Sequence, residues 1–168
     1  MRQQARLGMA MFLLSEAVFF LMLIAAFVYF RDANLSAAGG NLNLRATSIY
    51  TVFLLASSFT MWRATADRRR FWIAATAVLG AVFLAGQARE YWQLFQRNVT
   101  IGQGQFGSTF FTLTGLHGLH VLLGILLLSV VWRWHTQRAA IEAVGLYWQF
   151  VDGVWIVIFS IVYLWTFF

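Results

Sequence analysis

Long apolar stretches alternate with short polar connectors along this chain. The stretches run about 7–30, 44–62, 71–95, 106–134 and 141–167. Each is long enough to cross a hydrocarbon core of about 30 Å as an α-helix rising 1.5 Å per residue. The connectors carry turn-forming and charged residues. Gly39 and Gly40 sit between Asp32 and Asn43, a basic turn covers Ala64 to Arg70, and NVTIGQGQ fills Asn98 to Gln105. The run after MRQQAR is too long for a cleaved signal and lacks a small-residue cleavage pattern, so it reads as a first span. The pattern predicts an all-α fold: one domain over 1–168, an integral membrane bundle of five transmembrane helices.

A few polar residues interrupt this pattern, and they are the informative ones. Glu16 falls mid-way along the first stretch and Gln87 late in the third, just before Arg89 and Glu90. His117 and His120 fall in the fourth, Gln149 and Asp152 in the fifth. A charged side chain at mid-bilayer costs about 2.5–3.5 kcal/mol on insertion scales, so each needs a partner or a function. Counted from the helix ends, Glu16, the histidines and Asp152 lie at similar depth. A buried polar layer joining helices one, four and five is therefore expected. Three roles are open for it: hydrogen-bonded glue, proton uptake and release at Glu16, or contact with lipid or another subunit. On the fourth helix His117, His120 and Gly124 share a face, with Ser108, Thr112 and Gly115 roughly opposite. Small residues there suggest a second close helix neighbour.

Composition narrows the class. Of 168 residues 61% are hydrophobic and only 11% charged, too apolar for a soluble domain of this size. The net charge of +6 comes from arginine alone, since the sequence has no lysine. These arginines sit at helix ends, which suits headgroups and topology and argues against nucleic acid as a partner. Arg2, Arg6, Arg63, Arg68, Arg69, Arg70, Arg133 and Arg138 fall on one side, and Arg31, Arg45, Arg89 and Arg97 on the other. That asymmetry puts the N-terminus in the cytoplasm and the C-terminus outside. Trp62, Arg63, Trp72, Trp132 and Arg133 form the expected interface belt on the basic side.

The absence of cysteine excludes disulfides, iron–sulfur clusters, thiolate copper and covalent haem. Without lysine there is no Schiff-base retinal. Two haem ligands must approach iron from opposite faces, whereas His117 and His120 share one. His135, the third histidine, lies at a membrane edge. Neither a nucleophile–base pair nor a phosphate loop is present, so no catalytic, cofactor or metal residue is assigned.

Four stretches taken together resemble subunit III of the haem–copper oxidases, the cytochrome c and quinol oxidases. They are SEAVFFLMLIAAFVYF around Glu16, LGAVFLAGQAREY around Gln87, Glu90 and Tyr91, GQFGSTFFTLTGLHGLHVLLG, and YWQFVDGVWIVIFSIVYLW around Asp152. The resemblance covers nearly the whole chain. It implies a non-catalytic accessory subunit of a terminal respiratory oxidase in a bacterial cytoplasmic membrane. Subunits I and II would be its partners and would hold the haems and copper. Its role would be to pack on the catalytic subunit and support its stability and proton uptake. Many members have seven helices, with phospholipid in a cleft beside the first two. This chain is similar to the short five-helix forms, where such a cleft needs a wall from another subunit before it can take phospholipid as a ligand. The last helix usually reads Trp-His-Phe-Val-Asp, whereas Gln149 here can hydrogen-bond but not titrate. The alternatives are an accessory subunit of a nitric oxide reductase, a stand-alone proton or solute transporter, and a membrane b-type cytochrome.

Overall fold

The structure, a computed structural model, describes residues 2–30, 42–67, 69–102, 104–134 and 138–165. Among the described residues there are five α-helices: α1 Arg2–Tyr29, α2 Leu44–Asp67, α3 Arg70–Gln96, α4 Gln105–Trp134 and α5 Arg138–Phe159. α5 continues as a π-helical turn, Ser160–Leu164. The connector expected over Asp32–Asn43 lies, up to Asn41, outside the described residues, as does His135.

Local chemistry sets the ends. Asn43 caps α2, its Oδ1 accepting from the Ala46 amide at 3.2 Å, as a side-chain acceptor at this position should. α3 stops where Asn98 takes a φ of 59°, a left-handed conformation asparagine tolerates better than most residues. The amides of Arg97 and Val99 turn back to the Leu94 carbonyl, each at 3.0 Å. Ser108 then ties the loop to α4, donating to the Ile101 carbonyl at 2.6 Å.

α5 packs against α1, α2 and α4, while α3 bridges α2 and α4. The centre is aromatic: Trp148, Trp155, Tyr163, Phe83 and Phe110 are fully buried. The Trp148 indole is wedged between α3 and α4. A Cβ on Gly80 would lie 2.6 Å from this ring, and one on Gly124 2.8 Å from it. Glycine at these two sites lets three helices close on one large side chain.

Among the described residues four helices are long and apolar enough to cross a membrane. Of these α1, the most apolar, is the least buried. α2 is of similar length but rich in Ser and Thr. The small-residue face expected on α4 is packed at Gly115, where Tyr91 of α3 is the neighbour, and not beyond it. Ser108 and Thr112 are exposed, while the buried stripe runs through Phe110, Thr114, His117, Val121 and Gly124. Ser108 serves the preceding loop instead of a helix contact.

Candidate functional site: polar clusters inside the apolar bundle

The polar residues singled out in the sequence do not form one layer. They fall into separate clusters, each with its own partners.

Glu16 and His120 pair across α1 and α4, Nε2 to Oε2 at 3.0 Å. The other ring nitrogen of His120, Nδ1, lies 2.7 Å from the Leu116 carbonyl oxygen. A carbonyl only accepts, so Nδ1 carries a hydrogen. The short Nε2–Oε2 contact then also needs one proton between the two atoms. Imidazolium beside carboxylate and imidazole beside carboxylic acid both satisfy it. Tyr147 of α5 donates to the His120 backbone carbonyl at 2.9 Å, and the Phe20 ring meets the imidazole edge-on at 5.0 Å between centroids. The pair reaches the surface of the chain, with His120 12% and Glu16 20% exposed.

His117, one turn before, has a different environment. It is buried, stacked on Trp155 at 4.9 Å, with Phe83 edge-on at 6.0 Å. Among the described residues neither of its nitrogens has a hydrogen-bond partner. It packs as one more aromatic ring. Gln87, also buried, likewise leaves its Nε2 without a partner among the described residues.

Asp152 and Gln149 turn away from the histidines and face α2. Asp152 accepts from the Ser58 hydroxyl, and Gln149 Nε2 donates to the Ser58 carbonyl at 3.0 Å. Two indoles of α5 continue the seam. Trp148 donates to Ser57 at 2.9 Å and Trp155 to Thr51 at 3.0 Å. On its α3 side, α2 adds Thr60 to Thr76 at 2.8 Å and Thr47 to Glu90 at 3.1 Å. Glu90 is the carboxylate left out of the expected layer. Tyr163 donates to it at 2.6 Å from the π-helical turn, which brings the phenol inside. Next to it Tyr91 bonds Thr114 of α4 at 2.7 Å.

The seam on α2 left a trace in the sequence. Thr47, Thr51, Leu54, Ser57 and Met61 are all buried and repeat at three- and four-residue spacing. Small hydroxyl side chains at that period mark an inward face in a membrane bundle. The Tyr163–Glu90 contact has no such trace, because spacing along a helix names a face and not a partner.

The interface residues gather at one end, where α2 and α4 finish and α3 begins. The Arg63 guanidinium lies 5.6 Å from the Trp72 ring centroid and its Nε 3.8 Å from Asp67. Trp62, Trp132 and Arg133 are exposed there. Among the described residues no three His, Cys, Asp or Glu side chains come together as a metal-ion site.

Comparison with known proteins gives this arrangement a family. The family model for cytochrome c oxidase subunit III matches residues 1–167. The chain belongs to the subunit III family. Cytochrome c oxidase subunit 3 of Synechocystis is 38% identical, over 94% of this chain and 74% of that protein. The Corynebacterium diphtheriae protein of the same name is 34% identical, over 93% and 85%. Subunit 3 of the cytochrome bo(3) ubiquinol oxidase of Buchnera aphidicola is 30% identical, over 98% and 95%. In this member of the subunit III family the His-Gly-Leu-His element splits its two imidazoles between an acid and an aromatic box.

Proposed function

We propose that this chain, an accessory subunit of a respiratory haem–copper oxidase and a multi-pass membrane protein, scaffolds its catalytic subunit I along the α1–α4 side, with subunit II in the same complex. The observation that carries this is the Glu16–His120 pair, which reaches the surface half-way along two apolar helices. Acyl tails are a poor neighbour for such a pair, whereas a packed protein surface shields it. The surface beside the pair is apolar, with Phe12, Leu123, Leu126 and Leu127 exposed.

In this reading all five helices cross a bacterial cytoplasmic membrane, α2 included, because its hydroxyl groups are bonded inward. The arginine-rich end faces the cytoplasm, with Trp62, Arg63, Trp72, Trp132 and Arg133 at headgroup level. The whole of 1–168 forms one domain. The haems and copper reside in the partner subunits. Replacing Glu16 with Ala should cut co-purification of the catalytic subunit by several-fold while leaving the chain in the membrane. Full retention of the partner would overturn the scaffold reading.

The shared proton between Nε2 and Oε2 favours a second, compatible role in which Glu16 holds a proton near the partner's uptake region. A carboxyl C=O infrared band that changes during turnover and vanishes in Glu16→Gln supports that role. A spectrum unaltered by the substitution removes it.

A further inference from the structure

Glu90 is a buried acid that forms no ion pair among the described residues. Neutral groups hold it. Tyr163 donates to Oε2 at 2.6 Å, Thr47 Oγ1 lies 3.1 Å from each carboxyl oxygen, and the Asn43 backbone amide is a further donor. The same Thr47 oxygen lies 3.1 Å from the Asn43 carbonyl. Beside this cluster is a cavity of about 70 Å³ between α2 and α3, at the end of the bundle away from Arg63 and Arg133. Asn43, Ala46, Tyr50, Arg89 and Glu90 line it, and Asn43 and Arg89 are exposed at its mouth. Tyr50 packs on Gly86, where no Cβ would fit, and walls the cavity. One water needs about 10–15 Å³ and two to four polar partners, so the cavity has the size and the lining to hold water.

We propose that Glu90 is a proton-binding site that exchanges with bulk water through this cavity. Thr47 makes the exchange possible, because a hydroxyl both donates and accepts. With Glu90 ionised, Thr47 donates to the carboxylate. A proton delivered by cavity water adds to Oε1, which then donates to Thr47 Oγ1. The Thr47 hydrogen swings to the Asn43 carbonyl, and Tyr163 donates to Oε2 throughout. Both protonation states keep their hydrogen bonds, and no heavy atom has to move. A carboxylate beside a cation lacks this freedom, since the cation favours the ionised form. Arg89 lines the cavity without coming within ion-pair distance of Glu90. The other ionisable neighbours are Tyr163 on α5, Tyr50 on α2 and Tyr91 on α3, while α4 meets the cluster at Thr114, which does not titrate. The site is separate from the Glu16–His120 pair and does not depend on which protein partner binds.

The test records the carboxyl C=O infrared bands of the full chain in nanodiscs. Titration towards acid should give a band that vanishes in Glu90→Gln, and its downshift in D₂O times the proton exchange. Ala46→Leu fills the cavity and should slow this exchange about tenfold, because exchange then waits for local opening. Ala46→Val should slow it by less, a grading with side-chain volume that misfolding would not produce. Tyr163→Phe should raise the band frequency, since the carbonyl loses a donor, without slowing exchange. The absence of any Glu90-dependent band, or an exchange rate indifferent to the size of residue 46, overturns the proposal.

Discussion

α1 and α2 invert the rule for soluble proteins. α1 is the most apolar of the four helices that qualify as membrane spans, and it is nearly bare; Leu14, Leu21 and Met22 are each more than half exposed. α2 carries hydroxyls turn after turn, and Thr47, Thr51 and Ser57 are buried. In a bilayer the solvent is as apolar as leucine, so greasy surface gains little by leaving it. Hydroxyl, amide and indole N–H groups have no water to bond there and must find one another. Polarity therefore sorts inward. α1 holds to the bundle through packing and one acid–imidazole pair, whereas α2 is fastened to α3 and α5 by bonds spread along its length.

The sharpest way to break this contrast is at Trp148, which both fills the centre and donates to Ser57. Trp148→Ala should lower unfolding stability by about 3–5 kcal/mol, measured by denaturant titration in bicelles. A loss below about 1 kcal/mol would show that the wedge between Gly80 and Gly124 collapses without cost. Glu90→Ala comes next. It strips Tyr163 of its acceptor, while Thr47 can still donate to the Asn43 carbonyl at 3.1 Å, and should cost about 1–3 kcal/mol. Phe substituted at Tyr163 in the same background should recover part of that loss, since no orphaned hydroxyl remains. The double change Ser57→Ala with Ser58→Ala should cost about 1–2 kcal/mol, at about 0.6 kcal/mol per interhelical bond plus the unmet Asp152 carboxyl. On α1, Leu21→Ala should shift stability by less than about 0.5 kcal/mol. An effect as large as that of the serine pair would mean α1 is buried in the chain alone.

Helix number, order and approximate limits were legible because hydropathy reports them directly. The resemblance in GLHGLHVLLG pointed to the family for the same reason: the residues are contiguous. Side-chain pairing was less legible. Equal depth in the membrane placed Asp152 and the histidines in one stratum, but depth says nothing of azimuth around the bundle. Asp152 faces Ser58 on α2 and His117 faces Trp155 on α5, while His120 faces Glu16. Period alone could have found the hydroxyl stripe of α2, because Thr47, Thr51 and Ser57 keep helical spacing. The Tyr163–Glu90 bond could not be read from period, since a period assigns a face and not a partner.

The inward seam of α2 bears on how the polypeptide is made. Its hydroxyls bond carbonyls of their own helix, as Thr51 does Thr47 and Ser57 does Leu54, and several meet a second partner only on α3 or α5. Thr60–Thr76 and Thr47–Glu90 join it to the helix synthesised next. If α2 crosses the bilayer as proposed, it gains these partners as one arm of a hairpin, once the ribosome has delivered α3.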